Sequence, residues 1–369
     1  MTINRRKFLG SVAAASSALI AGCAATSQTG SGGSGNTRRS DGGPVIDIHA
    51  HWHAPAFVSL LEKEGGANGA KVGRNDRGYV TFFAPGLGSV FQPQYMNLET
   101  RLNAMNNSGV NVHALSLTSP MVYWAPPAFG KQLSQVYNDE LVRAHQLHPT
   151  RFMGLAMLPM QAPALAVQEL ERIAKFPGIR GVYMATHVNG KNLDDKDFFQ
   201  VYAKCEELGF HIYLHPVNPV GAERMRSYYL RNFLGNPYDT GIAASSLMFG
   251  GVMDAFPKLE VILPHAGGTY PALIGRMDHG STVRPETKHM TKPPSTYLRR
   301  FHYDTISHHK PLMKYLVELV GADRVVLGSD HPADMSYEKP VDFVDKLTEF
   351  SSRDLDLILG GNAQRLLKM

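Results

Sequence analysis

The chain has 369 residues, of which 43% are hydrophobic and 19% charged, so it can bury one large core or a few smaller ones and is not a disordered chain. Its two cysteines exclude a disulfide framework and any cysteine-rich zinc module. Of the formal charge of +5, +3 lies on Arg5, Arg6 and Lys7, and the remaining +2 gives no reason to expect a nucleic-acid partner.

Residues 1–22 read as an export signal. Asn4-Arg5-Arg6-Lys7-Phe8-Leu9 sets a twin arginine before a small-residue apolar stretch, Val12–Ala21, too short to span a bilayer. The segment resembles a twin-arginine (Tat) signal. Ile20-Ala21-Gly22-Cys23 resembles a lipobox, in which the cysteine is acylated and becomes the mature N-terminus. A plain signal peptide with an incidental Cys23 is the alternative. The expected destination is the periplasm, with a lipid on Cys23 tethering the protein to a membrane. Residues 23–43 are Ser/Gly-rich and expected to be a flexible linker, and 44–369 the folded domain. Cys205, in a helix-like stretch, reads as a small buried apolar residue.

The folded part repeats one rhythm. Short β-branched runs at Val45–Ile48, Val110–Leu117, Phe152–Leu158, Ile179–Met184, His211–Leu214, Leu259–Leu263, Phe301–Ile306 and Val325–Gly328 alternate with helix-period stretches. Gly109, Gly178 and Gly209 stand where helices should end before strands. Eight strand–helix units predict an α/β fold, a closed (β/α)8 TIM barrel, with a doubly wound open sheet as the alternative. No Gly-x-Gly-x-x-Gly follows the first strand, which weakens a dinucleotide-binding reading. Three stretches, Gly65–Gln94, Val217–Tyr238 and Gly280–Arg299, are too long for ordinary loops and read as insertions after strands 1, 5 and 6.

In a barrel all strand C-termini meet at one face, so residues far apart in sequence converge there. Strand 1 ends Asp47-Ile48-His49-Ala50-His51, and the period of two points His49 and His51 the same way, as a chelating pair for one divalent ion. Strand 5 ends at His215, strand 6 at His265, and strand 8 runs into Ser329-Asp330-His331. Asp47 is either a support for the histidines or a barrel-interior anchor, with the anchor favoured.

These residues come in a recognisable set: Asp47-x-His49-x-His51, His215-Pro216, His265-x-Gly267-Gly268, Gly328-Ser329-Asp330-x-Pro332 and Gly361-Asn362-Ala363. The set resembles the amidohydrolase superfamily from Val45 to the C-terminus, and within it the branch of 2-amino-3-carboxymuconate-6-semialdehyde decarboxylase. The resemblance implies a barrel enzyme with one zinc, or another divalent metal, per chain. His49, His51, His215 and Asp330 match the metal ligands. His265 matches the catalytic acid/base, and Asp330 is a second candidate for moving a proton. The resemblance also implies a homodimer in which Arg276 reaches into the neighbour's site.

Two positions depart from that branch. Phe91-Gln92-Pro93 carries Gln92 where the decarboxylase has a carboxylate-binding arginine, which implies a substrate with at most one carboxylate and a polar neutral group. His331 stands where it has tyrosine, as a substrate contact or a rim residue. Trp124, His187 and Arg276 complete the expected pocket, with a turn-stabilising role the alternative for His187. The expected reaction on a small-molecule substrate is non-oxidative decarboxylation of an aromatic or unsaturated acid. Hydrolysis of a lactone, ester or amide is the alternative, and a non-catalytic binding lipoprotein the third reading.

Overall fold

The eight apolar runs become the eight staves of one barrel in the computed structural model, which describes residues 39–369. The expected export signal with Arg5 and Arg6, the expected acylation site at Cys23 and most of the expected linker lie outside the described residues. In chain order, β1 (Ile46–His51) is followed by β2 (Lys71–Arg74), β3 (Val80–Ala84) and β4 (Leu87–Phe91), then by β5 (Val112–Ser116), β6 (Phe152–Met157) and β7 (Ile179–Ala185). A small hairpin of β8 (His187–Val188) and β9 (Lys191–Asn192) precedes β10 (His211–His215), β11 (Val261–Leu263), β12 (Phe301–Asp304) and β13 (Val325–Val326).

The barrel order is β1-β5-β6-β7-β10-β11-β12-β13, with every neighbouring pair parallel. Backbone bonds close it between its two ends: Ile48 N–H donates to Leu327 at 3.0 Å, Asp330 N–H to His49 at 2.9 Å and His51 N–H to His331 at 2.7 Å. The fold is therefore the (β/α)8 TIM barrel predicted from the sequence, and the open sheet is excluded. Parallel strands covered on both faces are buried along their length, and β1, β5, β6, β10, β11, β12 and β13 are buried at every residue. Proline stands in the first turn of the helices Pro55–Glu64, Pro127–Leu147, Pro163–Ile173, Lys310–Val320 and Pro340–Asp345, where its missing N–H costs nothing.

Local details differ from the sequence reading. Gly109 and Gly209 end their helices at φ of 76° and 60°. Gly178 does not cap: its helix ends at Ile173, and a Cβ at Gly178 would lie 2.3 Å from Cγ of His145, so this glycine makes room for an imidazole. The helix-period stretch before the sixth strand is broken at Gly250-Gly251 into the helices Asn236–Phe249 and Val252–Ala255.

The first insertion is an antiparallel sheet, β2-β3-β4. The second, after β10, is a run of short helical turns that includes Arg231–Gly235. The third follows the helix Tyr270–Val283 and leads through the turns Pro285–Thr287 and Pro294–Arg300 into the N-terminal end of β12. Only the first two are therefore placed to roof the C-terminal mouth. Among the described residues no helix is long and apolar enough to cross a membrane. Cys205 is buried, and burial pushes its thiol up to about 12, which makes it inert.

Candidate metal centre and active site

The ends of β1, β10 and β13 bring His49, His51, His215 and Asp330 together at the mouth, each offering one ligand atom within 4.8 Å of all the others. Alternation along β1 sends His49 and His51 to the same side, and their rings stand 4.9 Å apart, edge to face. His215 closes on both, with ring centroids 5.2 Å from His49 and 4.8 Å from His51. Asp330 Oδ1 lies 2.8 Å from His51 Nε2 and 3.4 Å from His49 Nε2.

Whether these groups suit a cation follows from what they lack. His49 Nε2 and His215 Nδ1 are buried and have no hydrogen-bond partner among the described residues. Such orphans are costly unless something else occupies their lone pairs. Burial pushes His51 down to about 4 and holds His215 well below the ordinary histidine range, so both imidazoles are neutral and free to ligate. Burial works against the charge of Asp330, but the hydrogen bond from His51 and the histidines around it hold that carboxyl well below the usual carboxylate range. For His49, burial works against a charge, but its hydrogen bond to Asp304 and the charges of Asp330 and Asp304 raise its pKa, so a cation would have to displace that proton. Three imidazoles and one carboxylate then fit one divalent cation.

Asp304, at the end of β12, holds this arrangement in place, and the sequence reading missed it. Its Oδ2 accepts from His49 Nδ1 at 2.8 Å and from the Tyr213 hydroxyl at 2.7 Å. Its Oδ1 accepts from the N–H groups of Ala266 at 2.9 Å and Ile306 at 3.0 Å. One buried carboxylate thus fixes the tautomer and aim of His49 and ties down the loop that carries His265. The available signal was position: Phe301-His302-Tyr303-Asp304 ends a barrel strand in an acid, as the other site strands end in ligands. Asp47 has the anchoring role. Its carboxylate accepts from the N–H groups of His49 at 3.0 Å and Ser329 at 3.1 Å and from the Ser329 hydroxyl, which joins β1 to the turn before Asp330.

His265 stands beside the cluster, 5.5 Å ring to ring from both His49 and His215. Burial lowers its pKa against the pull of Asp330 and Asp304, so it is neutral and able to accept a proton. Its backbone is left-handed, φ 54°, as are Ala266 at 55°, Gly267 at 80° and Gly268 at 57°. A Cβ on Gly268 would fall 2.1 Å from the Pro237 carbonyl oxygen and one on Gly267 would meet the Tyr303 ring at 2.6 Å, which accounts for the glycine pair after His265. Asp330 is also left-handed, φ 66°. Strain of this kind persists only where the surroundings over-determine it, and both His265 and Asp330, which face the reacting space, carry it.

A cavity of about 380 Å³ opens from the cluster, with His51, His215, His265 and Asp330 on its floor and Tyr95, Tyr229, Arg231 and Asn236 on its walls. A profile of the amidohydrolase family matches residues 46–369. The chain belongs to the amidohydrolase family. It is 34% identical over 328 residues to the 2-amino-3-carboxymuconate-6-semialdehyde decarboxylase of Dictyostelium discoideum, covering 87% of this chain and 91% of the relative. It is 30% identical over 292 residues to a gamma-resorcylate decarboxylase of Polaromonas sp., covering 73% of this chain and 87% of the relative. Among solved structures, a dihydroxybenzoic acid decarboxylase from Polaromonas sp. with bound manganese and 2-nitroresorcinol matches with a TM-score of 0.71 at 26% identity, over 88% of this chain and 97% of that one.

The remaining residues expected in the amidohydrolase's pocket are placed more widely. His187 lines a second chamber of about 670 Å³ that shares Val217 and Asn218 with the first. Its Nδ1 accepts from Gly190 N–H at 3.1 Å and its Nε2 lies 3.1 Å from the Asn218 carbonyl, so it braces two loops while facing that chamber. Gln92 caps the short helix Pro93–Met96 and accepts from Gln94 at 2.8 Å, outside the cavity wall, where Tyr95 stands instead. The Trp124 ring packs on Phe82 at 4.8 Å and on Phe129 at 6.0 Å, which fastens the β2-β3-β4 sheet to the barrel. His331 turns to the back of the cluster, its ring 5.5 Å from His113. Arg276 is exposed on the helix Tyr270–Val283, away from the cavity of its own chain.

Asp304→Asn keeps the shape but weakens a charge-assisted bond to a ligand histidine. We expect divalent-metal affinity to fall about 10–100-fold, the usual effect of losing such a partner. Chelator competition on the folded variant measures it, and wild-type affinity would remove Asp304 from the site.

Proposed function

We propose that this amidohydrolase is a divalent-metal-dependent, non-oxidative decarboxylase of an aromatic or unsaturated carboxylic acid. The observation that carries the reading is the four-ligand cluster with His265 beside it on a cavity floor, in a chain so similar to named decarboxylases. His49, His51, His215 and Asp330 would hold the metal, and zinc is the ion we assign, with manganese as its competitor. When bound, the metal supplies Lewis-acid charge that fixes and polarises the acidic substrate.

The protein's own groups account for the proton balance. Decarboxylation breaks the bond between the substrate carbon and its carboxylate. The electron pair of that bond stays on the carbon, CO2 leaves, and one proton must arrive. His265, neutral at rest on the cavity floor, takes a proton from solvent and passes it to that carbon, with Asp330 as its charged neighbour.

The N-terminal sequence supports an exported, membrane-tethered enzyme: a twin arginine before an apolar stretch, then Cys23 in a lipobox-like context. A homodimer is our reading from the family resemblance alone, in which the exposed Arg276 would reach the neighbour's site.

The test is a CO2-release assay on metal-loaded mature protein with carboxyl-labelled hydroxybenzoates and unsaturated diacids. We expect CO2 and the proton-replaced product in equal amounts from at least one class. Turnover of esters, lactones or amides with no CO2 from any acid would replace this reading by hydrolysis.

A further inference from the structure

The cavity wall holds one residue that is cationic at every pH of interest. The lining includes the acids Asp330 and Asp334 and three imidazoles, but Arg231 is its single arginine or lysine. Asp334 is engaged by the Tyr229 hydroxyl at 3.0 Å. Among the described residues, the one hydrogen bond of the Arg231 guanidinium is a long one, 3.4 Å to the Gly86 carbonyl. Most of its N–H donors are therefore unspent while it faces a cavity built to receive an acid.

The backbone before it is strained in a way that its own packing does not repay. Tyr228 and Tyr229 both adopt left-handed φ of 59°, and the Tyr228 side chain is 87% exposed. Consecutive left-handed residues other than glycine are unfavourable and persist only where something else holds them. What the kink achieves is placement: Tyr229, Arg231, Asn232 and Asn236 all reach the cavity wall from one short segment.

Across the mouth the same segment meets the turn between β3 and β4. Gly86 there has φ 78°, and a Cβ on it would lie 2.5 Å from the Asn218 side chain, so the two insertions approach closely, and the contact to the Gly86 carbonyl sets the exposed Arg231 guanidinium at the opening. Gln92 is not in this wall, so its neutrality sets no limit on the charge of the substrate.

We propose that Arg231 is the substrate's carboxylate-binding residue, gripping an acidic group that stays on the molecule while the reacting carboxylate sits at the metal cluster. The substrate class is then an aromatic or unsaturated acid with a second carboxylate. The inference rests on the decarboxylase reading, and a binding measurement separates the two.

The probes are 4-hydroxy-3-nitrobenzoate and 2-nitrophenol, which share a nitrophenol head for the metal and differ only in the carboxylate. Their binding to manganese-loaded protein is followed by absorbance. Arg231→Gln should weaken 4-hydroxy-3-nitrobenzoate about tenfold, the lower end for a charge-assisted pair because the site is open to solvent, and leave 2-nitrophenol unchanged. Arg231→Lys should recover part of the loss, since it restores charge but not the fork. Equal weakening of both probes, or of neither, overturns the role of Arg231 alone. Failure of the wild-type protein to bind either probe overturns the decarboxylase reading and this inference with it.

Discussion

His49→Ala combined with His51→Ala should abolish metal binding and, with it, all turnover. Of the four ligands only His215 and Asp330 would remain, from separate strands, and two ligands do not hold a cation against water in a site that needs four. The fold should survive the change. Asp304 loses His49 but keeps the Tyr213 hydroxyl and the N–H groups of Ala266 and Ile306, so its buried charge remains satisfied. Asp330 loses both imidazole partners, yet it borders the cavity and can be hydrated. Circular dichroism should therefore match the wild type, while elemental analysis falls from about one metal per chain to background. Full metal occupancy in the double variant would sink the ligand assignment, and with it the reading of β1 as the floor of the site.

What could be read ahead of the structure was whatever has a short period or a strand end. All eight barrel strands were legible because parallel, doubly covered strands are predominantly apolar and β-branched, here interrupted by only a few polar residues. His49, His51, His215, His265 and Asp330 were legible because a barrel gathers strand C-termini at one face. The β2-β3-β4 sheet was not. Its strands are short and half exposed, with Lys71, Gly73, Phe83 and Gly88 breaking the alternation, and their order depends on the floor they roof. Asp304 was missed because its role lies in four hydrogen bonds from three different elements, none of them near it in sequence except Ile306. Gln92, Trp124 and His331 show the converse. A residue can sit in a familiar sequence context and still spend its side chain on a neighbouring amide, an aromatic cluster or the back of the site. Conversely, Arg231 carries no sequence signal, since what brings it to the cavity is a backbone kink at Tyr228 and Tyr229.

Replacing His265 should separate proton transfer from metal binding. His265 lies outside the four-ligand set, so its variants should keep the metal while turnover falls about 10²–10⁴-fold, the usual worth of a positioned acid/base. The choice of replacement matters because the residue is left-handed, φ 54°. Asparagine tolerates that conformation better than alanine, so His265→Asn keeps the backbone and removes only the titrating ring. Both variants should show wild-type metal content, and the loss should fall on kcat with little change in KM, because a group that moves a proton acts in the transition state. If either variant loses the metal, His265 is a fifth ligand and the site must be redrawn around it. If His265→Asn keeps its metal and turns over within about tenfold of wild type, below the range expected of an acid/base, the proton travels by another group, and Asp330, the carboxylate beside His265 on the cavity floor, is the one to replace next.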